Sequence, residues 1–260
     1  MKRTAILILR ALLPWGIPVL LLAAWQISVT AGYVSARILP APSDVFQAAI
    51  QLIRTGEMGH HVQVSLGRAV TGFLIGGLTG FTLGLLNGLF RTAETLLDTS
   101  VQMLRNIPHL ALIPLVILWL GIGEDAKILL VALGVLFPVY LNTYHGIKSV
   151  DRGLIEMGTM YGLRGFALFR HIIFPGALSS ILVGIRFSLG VMWMTLIVAE
   201  TISSTSGIGY MAMNAREFMR MDIILVSIVL YALLGKLSDV IARMLERRWL
   251  KWHPGYKTQS

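Results

Sequence analysis

Six stretches of this chain each run for close to 20 residues almost without charge: 14–31, 69–90, 101–120, 127–144, 178–200 and 223–244. A helix needs about 20 mostly apolar residues to cross the hydrocarbon core of a bilayer. Charged residues make up 13% of the sequence and hydrophobic ones 55%, whereas an ordinary soluble domain carries about 25% charge. A soluble fold of this length would have too little polar surface to cover so much apolar material. The reading is an all-α, polytopic membrane helical bundle of six spans, forming one transmembrane domain over residues 1–260.

Charge placement orients the bundle. With the N-terminus inside, Lys2, Arg3 and Arg10, then Arg91, then Lys148, Arg152, Arg164 and Arg170, and finally Arg243, Arg247, Arg248, Lys251 and Lys257 fall on one side. Arg37, Arg54, Lys127, Arg216 and Arg220 fall on the other. Basic loops stay cytoplasmic, so both termini are expected inside. The net charge of +9 follows from this bias. The charges are scattered between apolar runs and form no stripe that suits a phosphate backbone, which argues against nucleic acid. The rival reading of the N-terminus is a signal peptide cleaved near Val34-Ser35-Ala36; the length of the first run favours a span. The absence of cysteine excludes disulfides, thiolate metal sites and cysteine nucleophiles.

Within the spans, Gly76, Gly80, Gly84 and Gly88 put a small residue at every fourth position of one helix face. Close backbone approach drives helix association in lipid, either within one subunit or between two. Between the first two spans, Ser43-Asp44 opens an amphipathic run with Ser43 as a candidate cap, placed on the outer surface. Arg105, Asn106 and His109 begin the third span, where Pro108 and Pro114 frustrate regular helix. Irregular backbone at membrane depth is tolerated where it lines a cavity; a snorkelling arginine is the plainer alternative. Arg186 inside the fifth span either faces a wet path or has a carboxylate partner. Trp193 and Thr195, at mid-span with Met192 and Met194, suit either a gate or ordinary packing. Glu200 is expected to have a structural partner. Lys236 and Asp239, three apart, are expected to pair or snorkel. Adjacent His60 and His61 lack a third ligand, so no metal site and no cofactor is expected.

The loop from 149 to 175 carries the strongest local pattern. Asp151 can cap a helix, and Arg152 and Glu156 can pair along it. Gly162 suits a left-handed helix end. A second short helix should stop at or before Phe174, ahead of Pro175. By periodicity alone this helix–turn–helix is an amphipathic connector with no stated partner.

Glu156-Met157-Gly158, Gly162, then Phe169, Ile172 and Pro175 resemble the "EAA" loop of binding-protein-dependent ABC importer permeases. Met157 and Gly158 stand where that pattern has two alanines, and Phe174 where it has leucine. Arg37-Ile-Leu-Pro40, Arg105-Asn106-Ile-Pro108-His109, Ala199-Glu200-Thr201-Ile202 and Asn214-Ala-Arg216-Glu217-Phe218 extend the likeness to aliphatic sulfonate importer permeases, a group close to the nitrate, taurine and bicarbonate permeases. The resemblance implies a type I importer-like fold in a bacterial inner membrane and a homodimer with a second copy of the permease. It also implies two cytoplasmic ABC ATPase subunits docked on the loops, and a periplasmic substrate-binding protein delivering a small anion. ATPase coupling would fall to Glu156, Met157, Gly158, Gly162, Phe169, Ile172 and Pro175. Arg105, Asn106, His109, Arg186, Trp193 and Thr195 are the path candidates. The chain has no P-loop, so it is not expected to be an enzyme. The alternatives are a taurine or nitrate permease, or a stand-alone secondary transporter, which would need intramembrane carboxylates or inverted repeats.

Overall fold

The computed structural model describes residues 2–250, with backbone only for residues 2–12, 14, 15 and 203. Lys251 and Lys257 lie outside the described residues, as do the side chains of Lys2, Arg3 and Arg10. The chain runs through α1 (Lys2–Thr30), α2 (Pro42–Thr55), α3 (Glu57–Leu89), α4 (Arg91–Arg105), α5 (Ile113–Leu120) and α6 (Glu124–Lys148). Then follow α7 (Arg152–Met160), α8 (Gly165–Leu168), α9 (Phe174–Ser203), α10 (Ile208–Glu217) and α11 (Met221–Trp249), and no strand occurs among the described residues. By length and composition α3, α6, α11 and the continuous run Gly165–Ile202 can each cross a membrane. Segments Arg91–Arg105 and His109–Leu120 qualify together but are bent by 80° at their break, and Gly16–Thr30 is a shorter apolar helix.

Helix α6 is the axis of the bundle. Its Val131, Val135, Val139 and Tyr140 are essentially inaccessible, because α3 covers one side and α9 the other. The glycine stripe of α3 makes the first contact possible. A Cβ at Gly76 would strike the Ala132 carbonyl, and one at Gly80 the Leu136 carbonyl. At Gly84 it would lie 2.7 Å from Thr143 Cβ and the Tyr140 carbonyl oxygen, and at Gly88 2.9 Å from Ile147 Cβ. The small face is therefore consumed inside the subunit, against α6. Gly67, on the same helix, faces open space. Gly80→Val should cost about 1–3 kcal/mol through overpacking, whereas Gly67→Ala should be neutral or gain about 0.5–1 kcal/mol. Unfolding of the purified chain in mixed micelles reads both.

Helix α2 lies over the bundle, burying Ala48 and Leu52 in the core formed with Met211, Val226 and Tyr231. Its cap is Ala41, not Ser43: Pro42 already occupies the first helical turn, which suits a residue without an N–H. The Asp44 carboxylate accepts from the Ala41 N–H at 3.2 Å. Ser43 instead accepts from Gln26 Nε2 at 3.2 Å and donates its backbone N–H to Gln26 Oε1 at 3.1 Å. That bond holds α1, which otherwise exposes Ile17, Leu20, Leu21 and Ile27.

Candidate functional site

The loop from 149 to 175 folds as two helical pieces joined by a left-handed turn. The Asp151 carboxylate accepts the Gly153 N–H at 2.7 Å and starts α7. Gly162 has φ +84°, a region costly for any residue with a Cβ. The end of α7 closes through Gly162 N–H to the Thr159 carbonyl and Leu163 N–H to the Gly158 carbonyl. Gly158 is buried because Ile172 and Leu168 lie on it: a Cβ there would collide with Ile172 Cδ1 and stand 3.0 Å from Leu168 Cδ1. Thus Gly158 and Ile172, 14 positions apart, form one contact that locks α7 against the second arm. Phe169 stacks against Phe166 and Phe174, with ring centroids 6.2 and 5.7 Å away.

The second arm does not stop before Pro175. After α8 the chain passes through a π turn, Phe169–Ile173, directly into α9, with Phe174 helical at φ −63°. The Phe174 N–H bonds to the Phe169 carbonyl, five residues back. This wide turn shifts the bonding register where Pro175, in the first turn of α9, has no N–H to give. Glu156 is exposed, and among the described residues no ion pair joins it to Arg152. Met160 and Tyr161 are over four-fifths exposed, and with Gly153, Glu156 and Met157 they line an open hollow.

The bent segment has its knee at residues 106–108. His109 Nε2 lies 2.9 Å from Thr195 Oγ1 of α9, so the structure brings these two path candidates together. Both crowd Gly134 of α6: a Cβ there would stand 2.8 Å from Thr195 Oγ1 and 3.3 Å from His109 Nε2. Arg105 and Asn106 are exposed beside the knee. Trp193 is elsewhere. It is 5% exposed, donates Nε1–H to Ser238 Oγ at 2.9 Å and packs edge-on against Tyr231, so it is a core residue between α9 and α11. Arg186 is paired, with Asp239 at 2.8 Å and Glu246 at 3.6 Å. Asp239 takes Arg243 at 2.7 Å as its second partner, and the expected Lys236–Asp239 pair does not form. Arg186 and Asp239 line, with Gly190 and Gly235, a cavity of about 470 Å³ between α9 and α11.

The acidic residues of α4 hold the knee's lower arm to α6. Glu94 accepts from Tyr144 at 2.5 Å and from Lys148 Nζ at 2.7 Å. One turn along, Asp98 accepts from Tyr140, whose hydroxyl accepts from Asn87 Nδ2, both at 2.8 Å.

At the other end of the bundle lies a polar cluster that no sequence pattern announced. The fully buried Glu200 carboxylate accepts from Ser65 Oγ at 2.8 Å, Arg68 Nη1 at 2.7 Å, the Gly209 N–H at 2.9 Å and the Tyr231 hydroxyl at 3.0 Å. Arg68 donates further to Glu124 at 2.6 Å and to the Ser206 carbonyl at 2.7 Å. Lys127, read from sequence as a loop cation, is 2% exposed and pairs with Glu124 at 3.1 Å. Around it, Ile208 N–H bonds to Ser65 and Gly207 N–H to His61 Nδ1. His61 thus serves as a hydrogen-bond acceptor, and no metal-binding group of three or more His, Cys, Asp or Glu occurs among the described residues.

Comparison with known proteins gives this geometry a family. The chain is 60% identical over 243 residues, 94% of its length and 92% of the relative's, to the aliphatic sulfonates transport permease protein SsuC of Escherichia coli. It is 44% identical over 241 residues, 93% of its length and 87% of the relative's, to SsuC of Bacillus subtilis. Identity to the taurine transport system permease protein TauC of E. coli is 35%, over 92% of this chain and 88% of that one. An amino acid ABC transporter solved with histidines superposes with a TM-score of 0.63 at 16% identity, over 77% of this chain and 97% of that one. The inward-facing MetNI methionine ABC transporter gives 0.55 at 19% identity, over 71% and 94%. Residues 72–251 match the model of the binding-protein-dependent transport system inner membrane component, and the chain is a member of that family of multi-pass inner-membrane permeases.

Proposed function

We propose that this chain is the membrane-spanning subunit of an ATP-driven importer of small organic anions, with aliphatic sulfonates as its substrates. The observation that carries this reading is the 60% identity to the E. coli sulfonate permease across 94% of the chain. The corresponding figure for the taurine permease is 35%, which makes taurine the second choice. Two copies of the chain form the path. Six segments span the membrane: α1, α3, the bent pair, α6, the run ending in α9, and α11. Both termini and the 149–175 loop lie in the cytoplasm, a placement that the distribution of basic residues supports.

Each 149–175 loop seats in one cytoplasmic ATPase subunit. The exposed Leu154, Met157, Met160, Tyr161 and Phe166 offer an apolar docking face around Glu156. The second arm of the loop, from Gly165, runs without interruption into α9, and α7 packs on that arm through Gly158 and Ile172, so movement of a docked α7 is delivered through that contact to the helix that carries Thr195. A periplasmic binding protein supplies the anion at the end where Glu200 and α10 lie. ATP is hydrolysed by the partner subunits.

The test is ATP hydrolysis and uptake in liposomes holding this chain with its ATPase, with binding protein added empty or loaded. Stimulation several-fold greater with alkanesulfonate-loaded than with empty protein is the expected result. Stimulation by taurine or nitrate alone would move the substrate. An uptake that proceeds without any ATPase would replace the reading with a stand-alone transporter.

A further inference from the structure

The geometry points to Arg105 as the cation that recognises the transported anion inside the membrane, an inference that rests on the importer reading above. Helix α4 is two-faced. Leu96, Met103 and Leu104 point outward and are 74%, 67% and 56% exposed, while Glu94 and Asp98 face the bundle and bond to Tyr144, Lys148 and Tyr140 of α6. At 3.6 residues per turn, Arg105 falls within about 20° of Asp98. By periodicity it therefore lies on the side of α4 that carries Asp98, away from Leu96 and Met103.

Depth follows from the helix above the knee. Residues 109–120 rise about 1.5–2 Å each, about 20 Å in all, which sets the knee inside a hydrocarbon core about 30 Å thick. Gly134, ten positions into the 25-residue α6 and in contact with His109 and Thr195, gives the same level independently. Arg105 sits just before the knee.

A guanidinium at this depth needs a counter-charge or water. Arg68 has Glu124 and Glu200, Lys127 has Glu124, and Arg186 has Asp239. Arg105, in contrast, is exposed and has no ion-pair or side-chain hydrogen-bond partner among the described residues. An unpaired cation beside irregular backbone at this depth calls for water and leaves its counter-charge to come from outside the chain. A planar guanidinium presents paired N–H donors that match two oxygens of one oxyanion, which a point-charge ammonium does less well. A sulfonate head group supplies those oxygens.

The experiment compares wild type, Arg105→Gln and Arg105→Lys in the full transporter reconstituted with ATPase and binding protein, with uptake of a radiolabelled alkanesulfonate as readout. Equilibrium dialysis of the same anion against the purified transporter without binding protein reports the membrane site alone. Arg105→Gln should lower uptake and weaken that binding by roughly tenfold or more, the size expected for losing a charge-assisted hydrogen-bond pair. Arg105→Lys, which keeps the charge and loses the paired donors, should fall between wild type and Arg105→Gln in both. Uptake by Arg105→Gln within twofold of wild type overturns the assignment and makes Arg105 a snorkelling side chain. Equal loss in the Gln and Lys variants also overturns it, since charge would then not be what matters. A wild-type transporter that shows no anion uptake driven by loaded binding protein fails at the importer reading instead, and the assignment falls with it.

Discussion

Arg68→Met is expected to destabilise the chain by about 3–5 kcal/mol, the cost of stranding one member of a buried ion pair. The reason is Glu200. Its carboxylate is 0% exposed and sits near the end of α9, between α3, the start of α10 and Tyr231 of α11, where among the described residues Arg68 is its one ion-pair partner. Glu124, the other carboxylate on Arg68, is 54% exposed and keeps Lys127, so it can turn to water and contributes little to the loss. The double variant Arg68→Met/Glu200→Gln removes the stranded charge and should recover a large part of the stability, because the two sites are directly coupled. Tyr231→Phe deletes one hydrogen bond to the same carboxylate and should cost about 1.5–3 kcal/mol. Chemical unfolding in mixed micelles measures all three. A loss below about 1 kcal/mol for Arg68→Met, or no recovery in the double variant, would show that water reaches Glu200 and that the cluster is not a closed ion pair.

The cluster also explains a limit of sequence reading. Arg68, Glu124 and Glu200 are 56 to 132 positions apart in their bonded pairs, and nothing in local periodicity joins them. Sequence could say that Glu200 needed a partner, because a carboxylate at a span end makes a poor anion ligand, but the partner is a topological fact. Burying Ser65 and Arg68 also lowers the apparent hydropathy of the first turns of α3. The span read as 69–90 consequently lies inside a helix that begins at Glu57. The same effect hid α4. Its apolar residues face outward and its acids face Tyr140 and Tyr144, so a hydropathy window sees only the stretch from Val101 onward.

Other features were legible because their cause is local. Pro108 predicted a break in the third segment, and the chain bends there by 80°. The glycine spacing of α3 announced a close helix contact, though only the fold could say that α6 of the same chain fills it. Pro175 misled, since a single π turn supplies the register change that lets the helix continue through it. Depth alone leaves Arg186 open to a wet path or a carboxylate partner, and Trp193 to a gate or ordinary packing. Depth does not reveal direction; the structure gives each a partner on α11, Asp239 for Arg186 and Ser238 for Trp193.

Gly158→Leu is expected to abolish transport while leaving the bundle intact. The leucine side chain would occupy the space now filled by Ile172 and Leu168, so α7 must lift off the second arm. The strain is local: the atoms nearest a Cβ at Gly158 belong to Ile172 and Leu168 of the same loop, and overpacking confined to such a contact costs about 1–3 kcal/mol. What is lost is rigidity between the docking face of α7 and α9. If motion passes along that contact, uptake should fall by roughly a hundredfold or more, a barrier increase of about 2.7 kcal/mol. ATP hydrolysis should cease to respond to loaded binding protein. Gly162→Ala tests the other half of the joint. Its Cβ meets open space, so the only penalty is a left-handed backbone, about 1–2 kcal/mol. The variant should therefore lose part of the response, and far less than Gly158→Leu. Uptake by Gly158→Leu near the wild-type rate would show that α7 and α9 move independently. Equal loss in both variants, with lowered unfolding midpoints, would trace the defect to folding of the loop and not to transmission through the Gly158–Ile172 contact.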